Sequence, residues 1–291
     1  MGTLTQQKLP VVDTVADVRR AVFDARSAGR TICLVPTMGA LHAGHVSLIT
    51  AASKAANPFI VVSIYVNPTQ FGPREDFTAY PRTLDADVSA CAEAGSHLVF
   101  TPQNEEVYPP GDQTRVVPGP LADTLCGPYR PGHFEGVCTV VARLFNIVTP
   151  DVAFFGQKDA QQAVIIRRMV EDLRMPVKIE VCPLIRDADG LALSSRNALL
   201  SAADRARAVL LYKALTTGKE KLLAGEKSVG KALAAMKSVL AAEADISVDY
   251  LSVVDPEDLA DLSRPQGRVM IAGAIRLGGV RLIDNILVDL G

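Results

Sequence analysis

Thr31-Ile32-Cys33-Leu34-Val35-Pro36-Thr37-Met38-Gly39-Ala40-Leu41-His42-Ala43-Gly44-His45 runs from an apolar stretch into a glycine-punctuated turn that carries two imidazoles. A strand, a Gly-rich turn and the start of a helix make an anion site, because the first amides of a helix lack partners and its dipole points its positive end the same way. Thr31 to Val35 reads as the strand, Pro36 ends it, and His45 to Ala56 reads as the helix. Gly39 and Gly44 have the Gly-x-x-x-x-Gly spacing of a P-loop, but His45 and Val46 stand where that motif needs Lys and Ser or Thr. The turn therefore reads as a nucleotide loop of another kind, in which histidine donates to a phosphate oxygen without the permanent charge of lysine. Histidines also sit at helix ends simply as caps, and the loop alone does not decide between the two readings.

Outward from this loop, short apolar runs alternate with helical patterns, as in a parallel sheet covered on both faces. Phe59 to Val66, His97 to Phe100, Val152 to Phe155 and Val177 to Ile185 read as strands. Leu84 to Ala94, Gly136 to Val148 and Asp159 to Leu173 read as helices. From Ser201 the pattern changes to two Ala/Leu/Lys-rich helices, Ala202 to Leu223 and Val229 to Glu243, then strands near Asp249 to Val254, Val269 to Ile275 and Arg281 to Leu287. The expected fold is α/β: a parallel-sheet domain over residues 1–184 and a smaller α+β domain over 185–291. The charged, turn-rich link Arg186-Asp187-Ala188-Asp189-Gly190 follows the boundary.

Thirty basic and thirty-two acidic residues give a net charge of −2, so no overall basic field exists to hold nucleic acid or an anionic membrane. A small-molecule partner follows. Five cysteines, an odd number with no Cys-x-x-Cys clip, argue for reduced thiols and against structural zinc. The polar stretch from Met1 to Pro10 lacks the apolar core of a secretory signal, and apolar runs such as Ala208 to Tyr212 are far too short to span a bilayer. These features together point to a cytosolic protein.

Two further polar clusters carry chemistry. Gly156-Gln157-Lys158-Asp159-Ala160-Gln161-Gln162 sits at another strand-to-helix junction, and in a parallel sheet all such junctions share one edge. Lys158 and Gln162 fall on one helical face, where an ammonium for phosphate and an amide for a second ligand act side by side. A solvated first turn suited to the helix dipole is the plainer reading. Leu193-Ser194-Ser195-Arg196-Asn197 combines two hydroxyls, a guanidinium and an amide, which make a phosphate clamp if the backbone bends around the ligand. Taken alone, it is a polar loop with a helix cap. Gln70, beside Phe71 and after the second strand, meets the same sheet edge. Arg130 and His133 either line the site or fix a loop. Asp85 and Asp87 read as dipole-favoured surface charge opening a helix rather than as metal ligands.

Taken in order, these segments resemble the pantothenate synthetase family, whose members join pantoate to β-alanine with ATP. The resemblance runs from Val35 to His45, through Asn67-Pro68-Thr69-Gln70-Phe71 and Tyr80-Pro81-Arg82, to Phe155-Gly156-Gln157-Lys158-Asp159 and Leu193-Ser194-Ser195-Arg196-Asn197. His-x-Gly-His by itself marks only the wider nucleotidyltransferase superfamily.

The resemblance implies that Met38, Gly39, Ala40, Leu41, His42, Ala43, Gly44 and His45 bind ATP, with His45 as the proton-donating catalytic residue and His42 beside it. Gly156, Gln157, Lys158, Asp159, Ile185, Leu193, Ser194, Ser195 and Arg196 complete the nucleotide site. Lys158, Ser194, Ser195 and Arg196 also join the catalytic set. Gln70 contacts pantoate and β-alanine, Gln162 holds pantoate, and Asn67 and Arg130 are further substrate contacts. The superfamily's Lys-Met-Ser-Lys-Ser loop has a lysine-free counterpart here ending in Arg196, so Lys158 supplies the ammonium. Ala86 stands where some relatives carry an acidic residue, which leaves Mg²⁺ to be held mainly by the triphosphate. The family implies a homodimer with a Rossmann-like N-terminal domain and a smaller C-terminal domain that covers the site. The rival reading is another His-x-Gly-His nucleotidyltransferase that leaves AMP on its product.

Overall fold

The structure, a computed structural model, describes residues 8–73 and 75–291. The chain forms two compact units. The first takes the chain up to Val116 together with Gly136–Phe155 and Val170–Cys182; the second takes Val117–Glu135, Gly156–Met169 and Pro183–Gly291.

In the first part of the chain the elements are β1 (Val11–Val12), α1 (Val15–Ser27), β2 (Thr31–Thr37), α2 (Ala43–Ala52), β3 (Pro58–Ile64), α3 (Leu84–Glu93), β4 (Leu98–Phe100) and α4 (Asn104–Val107). There follow α5 (His133–Val148), β5 (Val152–Gly156), α6 (Ala160–Asp172) and β6 (Lys178–Cys182). The six strands form one sheet in the order β1-β4-β3-β2-β5-β6, with β1/β4, β3/β4, β2/β3 and β2/β5 pairing in parallel. Ile32, Cys33, Leu34 and Val35 of β2 and Ile60, Val61 and Val62 of β3 are fully buried, as central strands covered on both faces require. The parallel sheet read from the sequence is therefore present, Rossmann-like as the resemblance implies. Asp151 sets the pairing of β2 with β5: its carboxylate accepts from Ile32 N at 2.7 Å and its own N–H donates to Ile32 O at 2.9 Å.

The order of strands decides where ligands belong. From β2 the chain builds outward through β3 and β4, then returns to lay β5 on the other side of β2. Crossovers leaving in opposite directions open a crevice at the carboxyl ends of β2 and β5, the switch point at which open α/β sheets bind their ligands.

Several local readings differ from the sequence expectations: α2 spans Ala43–Ala52 and not His45 to Ala56, and β6 stops at Cys182, short of the expected Ile185. Helix α1 carries an N-terminal signature that the alternation pattern passed over: Thr14 accepts from Asp17 N at 3.1 Å and donates to the Asp17 carboxylate at 2.7 Å. Helix α5 begins at His133 rather than Gly136, so Arg130 and His133 lie at a helix entrance. The helix expected over Ala202 to Leu223 is two, α7 (Ala202–Arg207) and α8 (Leu210–Leu223). No glycine or proline marks that break. It coincides with tertiary contacts: Ala208 and Val209 are buried in the core, while Arg207, paired with Asp204 inside α7, ties that helix to Glu243 and Asp245.

The second unit centres on an antiparallel sheet of β7 (Ser247–Val254), β8 (Arg268–Leu277) and β9 (Val280–Asp289), in that order. Helix α8 packs on β8 and β9, and α9 (Val229–Leu240) packs on α8 and β7. Leu211, Leu215, Met236, Val253, Ile271 and Ile275 fill this core. This is the smaller α+β arrangement that the sequence implied. A second apolar cluster joins Ala160 and Val164 to Val254, Leu259, Met270 and Ala272, with Leu121 and Leu125 packed against it. All five cysteines are free and buried, and burial pushes the Cys33 and Cys91 thiols up to about 11, leaving them protonated near neutrality.

Candidate functional site

In the first unit the turn after β2 is built around a buried carboxylate. Asp87, 2% exposed, accepts from Ala40 N at 2.9 Å and Leu41 N at 2.8 Å, and from the Thr83 hydroxyl at 3.1 Å. Gly39 and Ala40 adopt left-handed φ values of 84° and 50°, which turn these two amides toward Asp87. A Cβ on Gly39 would lie 3.0 Å from Asp87 Oδ2 and 3.1 Å from Ile64 Cγ2, so both conformation and space call for glycine. The surface-charge reading of Asp87 is thereby corrected: the side chain is a structural anchor of the loop. The two partners are 47 positions apart, so no local spacing could have signalled it.

His42 is the N-cap of α2. Its Nδ1 accepts from Gly44 N at 3.1 Å, while Nδ1 of His45 accepts from His42 N at 3.3 Å. An imidazole accepting at Nδ1 carries its proton on Nε2, so these bonds assign both rings the Nε2–H tautomer. The rings lie 4.2 Å apart at 42° to one another. Helix capping and ligand donation are therefore compatible: one ring nitrogen closes the helix end while the other is a donor.

Gln70 is placed by a buried relay. Its Oε1 accepts from Asn67 Nδ2 at 3.0 Å and its Nε2 donates to Met38 Sδ at 3.3 Å. Asn67, 1% exposed, also donates to Gly136 O and accepts from Thr69 N, the Thr69 hydroxyl and the Tyr108 hydroxyl. With its amide so engaged, Asn67 holds the Gln70 side chain in place. Gly136 allows this approach, because a Cβ there would sit 2.4 Å from Thr69 O. Arg143 stacks 4.3 Å over the Tyr108 ring and extends the relay to the surface.

In the second unit Arg130, Lys158, Asp159 and Gln162 line one cavity with Asp284 and Asn285. Lys158 lies in the short 3-10 turn Gln157–Asp159 that follows Gly156, and Gln162 lies in the first turn of α6. Arg130 Nη1 is 2.9 Å from His133 Nε2. Lys158 approaches Asp159 at 3.6 Å, a half-exposed pair that contributes little on its own. Gln161 faces inward instead, accepting from Cys126 N and donating to the carbonyls of Leu121 and Thr124.

Ile185 and Leu193 pair across a small hairpin, Leu193 N donating to Ile185 O at 3.0 Å beside the Arg186/Ala192 bridge. Ser194 then caps the turn Ser195–Leu199 by accepting from Arg196 N at 3.3 Å, and Asn197 Nδ2 holds Ala192 O at 3.0 Å. The segment is thus a bent, capped turn, a geometry common to the clamp reading and to the plain polar loop with a cap. Among the described residues no group of three or more His, Cys, Asp or Glu side chains could hold a metal ion. None of the described helices is long and apolar enough to cross a membrane.

The Pantoate-beta-alanine ligase family model matches residues 10–287. A pantothenate synthetase from Moorella thermoacetica is 48% identical over 281 residues, which is 97% of this chain and 99% of that one. A crystal structure of pantothenate synthetase from Thermus thermophilus superposes with a TM-score of 0.89 at 47% identity, covering 96% of this chain and 99% of the other. A pantoate-beta-alanine ligase from Francisella tularensis, complexed with beta-gamma ATP and beta-alanine, matches with a TM-score of 0.78 at 33% identity, over 96% of this chain and 97% of that one. By sequence over nearly its whole length and by fold, the chain belongs to the pantoate–β-alanine ligase family.

Proposed function

We propose that the protein activates pantoate with ATP as pantoyl adenylate and passes the pantoyl group to β-alanine, giving pantothenate, AMP and pyrophosphate. The observation that carries this reading is the pair of neutral imidazoles at the mouth of α2, at the switch point of a parallel sheet, in a member of this family. In the first step the pantoate carboxylate attacks the α-phosphorus, a new P–O bond forms, and the bond to pyrophosphate breaks. A carboxylate is already a nucleophile at neutral pH, so the difficulty is repulsion between anions. His42 and His45 donate through Nε2–H, and Lys158, Ser194, Ser195 and Arg196 spread the phosphate charge.

Met38 to His45, Gly156 to Asp159, Ile185 and Leu193 to Arg196 serve ATP in this reading. Gln70, oriented by Asn67, and Gln162 with Arg130 serve the organic substrates. Asp87 commits both oxygens to the loop, so Mg²⁺, as part of the nucleotide substrate, would be held mainly by the triphosphate and would offset the charge of the leaving pyrophosphate. In the second step the free amine of β-alanine attacks the acyl carbon, the C–N bond forms, AMP leaves and the amine gives up a proton. Holding both reactants removes the entropy of encounter. The working form is a homodimer in the cytoplasm.

ATP–pyrophosphate exchange run against a panel of carboxylic acids, followed by addition of amines, tests the reading. Exchange should require pantoate, and β-alanine should then release free AMP. Exchange indifferent to pantoate, or AMP retained on the product, would overturn it in favour of a nucleotidyltransferase.

A further inference from the structure

Two neighbouring residues of β9 hold the backbone of both anion-facing turns in the second unit. Asn285, 5% exposed, donates through Nδ2 to the carbonyls of Gln157 at 2.9 Å and Lys158 at 3.1 Å, and its Oδ1 accepts from Gln157 Nε2 at 3.0 Å. Three bonds from one side chain thereby fix the turn that carries Lys158. Asp284, 4% exposed, accepts both Nη groups of Arg186, at 2.6 and 2.8 Å. Arg186 also donates to Gly190 O at 3.0 Å and stacks 4.1 Å over the Tyr212 ring, so the hairpin leading into Ser194 is tied to the same strand.

Asp284 lines the same cavity as Lys158. An unpaired carboxylate there would draw the ammonium away from phosphate, but the bidentate Arg186 occupies both of its oxygens. Burial raises the Asp284 carboxyl above its ordinary range, and Arg186 opposes that shift by favouring the charged form. Asn285 and Lys158 are 127 positions apart, so only the fold brings them together.

We propose that Asn285 is a positioning residue for Lys158, setting where the ammonium meets the phosphates. This rests on the assignment of Lys158 to ATP made above.

The test is a double-mutant cycle on the full-length protein with Asn285→Ala and Lys158→Ala, read both as pantoate-dependent ATP–pyrophosphate exchange and as calorimetric ATP affinity. Asn285→Ala alone should lower the maximal exchange rate by about tenfold or more, the scale expected when a reacting group is displaced, with the KM for pantoate little changed. In the Lys158→Ala background the same substitution should change neither exchange nor ATP affinity by more than about twofold, because its effect acts through the missing ammonium. Asn285→Ser stays polar and uncharged but is too short to reach both carbonyls, and should behave like the alanine variant if that one folds poorly. Losses that multiply in the double mutant would mean a merely structural role and overturn the proposal. If Lys158→Ala kept wild-type exchange and ATP affinity, the assignment of Lys158 itself would fall instead.

Discussion

Asp85 and Asp87 have the same chemistry and stand in the same first turn of α3, yet Asp85 is exposed and Asp87 is buried against the nucleotide loop. The difference predicts opposite responses to one substitution. In Asp87→Asn the amide that replaces one oxygen presents N–H to a backbone N–H, so a charge-assisted bond is lost and a buried donor is left unsatisfied. Unfolding in urea should show a loss of about 3 kcal/mol, whereas Asp85→Asn should stay within about 0.5 kcal/mol of the parent. Equal stabilities for the two variants would remove Asp87 from its anchoring role. The contrast also marks what the sequence makes legible at a residue. His42 and His45 declare themselves because strand, turn and helix are consecutive. Asp87 meets Ala40 and Asn285 meets Lys158 only through strand order, and no spacing in the chain encodes either.

Strands fared differently from helix ends. The central strands are legible as apolar runs because both faces of a parallel sheet are covered, and Ile32 to Val35 and Ile60 to Val62 are fully buried, whereas the two-residue edge strand β1 carries no such run and β6 stops at Cys182, short of the Ile185 that its pattern suggests. Helix limits depend on caps and tertiary ties instead. That is why α2 starts at Ala43 under the His42 cap, earlier than its apolar pattern, and why the contacts of Arg207 accompany a break that nothing local announces. At the junction before β4 one side chain makes the sheet sensitive to acid. His97 Nδ1 accepts from Ile60 N at 3.1 Å, and burial, assisted by Arg30, lowers its pKa from the ordinary 6.5. The folded protein then binds fewer protons here than the unfolded chain. This contribution is present above pH 6.5 and is lost as pH falls from there through the lower folded value. Replacing His97 with Gln keeps an acceptor and removes the titration. The drop in urea midpoint on going from neutral to mildly acidic buffer should therefore be smaller in His97→Gln than in the parent, and an unchanged drop would exclude His97 as the source.

The chain passes from one compact unit to the other after Val116, Glu135, Phe155, Met169 and Cys182, so neither unit is a continuous stretch of sequence. The second unit draws its last stretch, Pro183–Gly291, from the region of the charged linker onward, but it also needs Val117–Glu135 and Gly156–Met169. Leu121, Leu125, Ala160 and Val164 from those two segments cover Val254, Leu259, Met270 and Ala272. Each large apolar side chain taken from water contributes about 1.5–3 kcal/mol. Losing two leucines and a valine, and exposing Leu259 and Met270 beneath them, removes an amount comparable to the whole stability of a typical domain, about 5–15 kcal/mol. A fragment of residues 185–291 expressed alone should accordingly show no cooperative thermal melt by circular dichroism, even though it retains the three strands and the helices α7, α8 and α9. The carbonyls of Gln157 and Lys158 are absent from it as well, leaving Asn285 without the acceptors to which it donates. A cooperative transition of this fragment near the melting temperature of the intact chain would show that the inserted segments dock on a finished domain and are not part of its core.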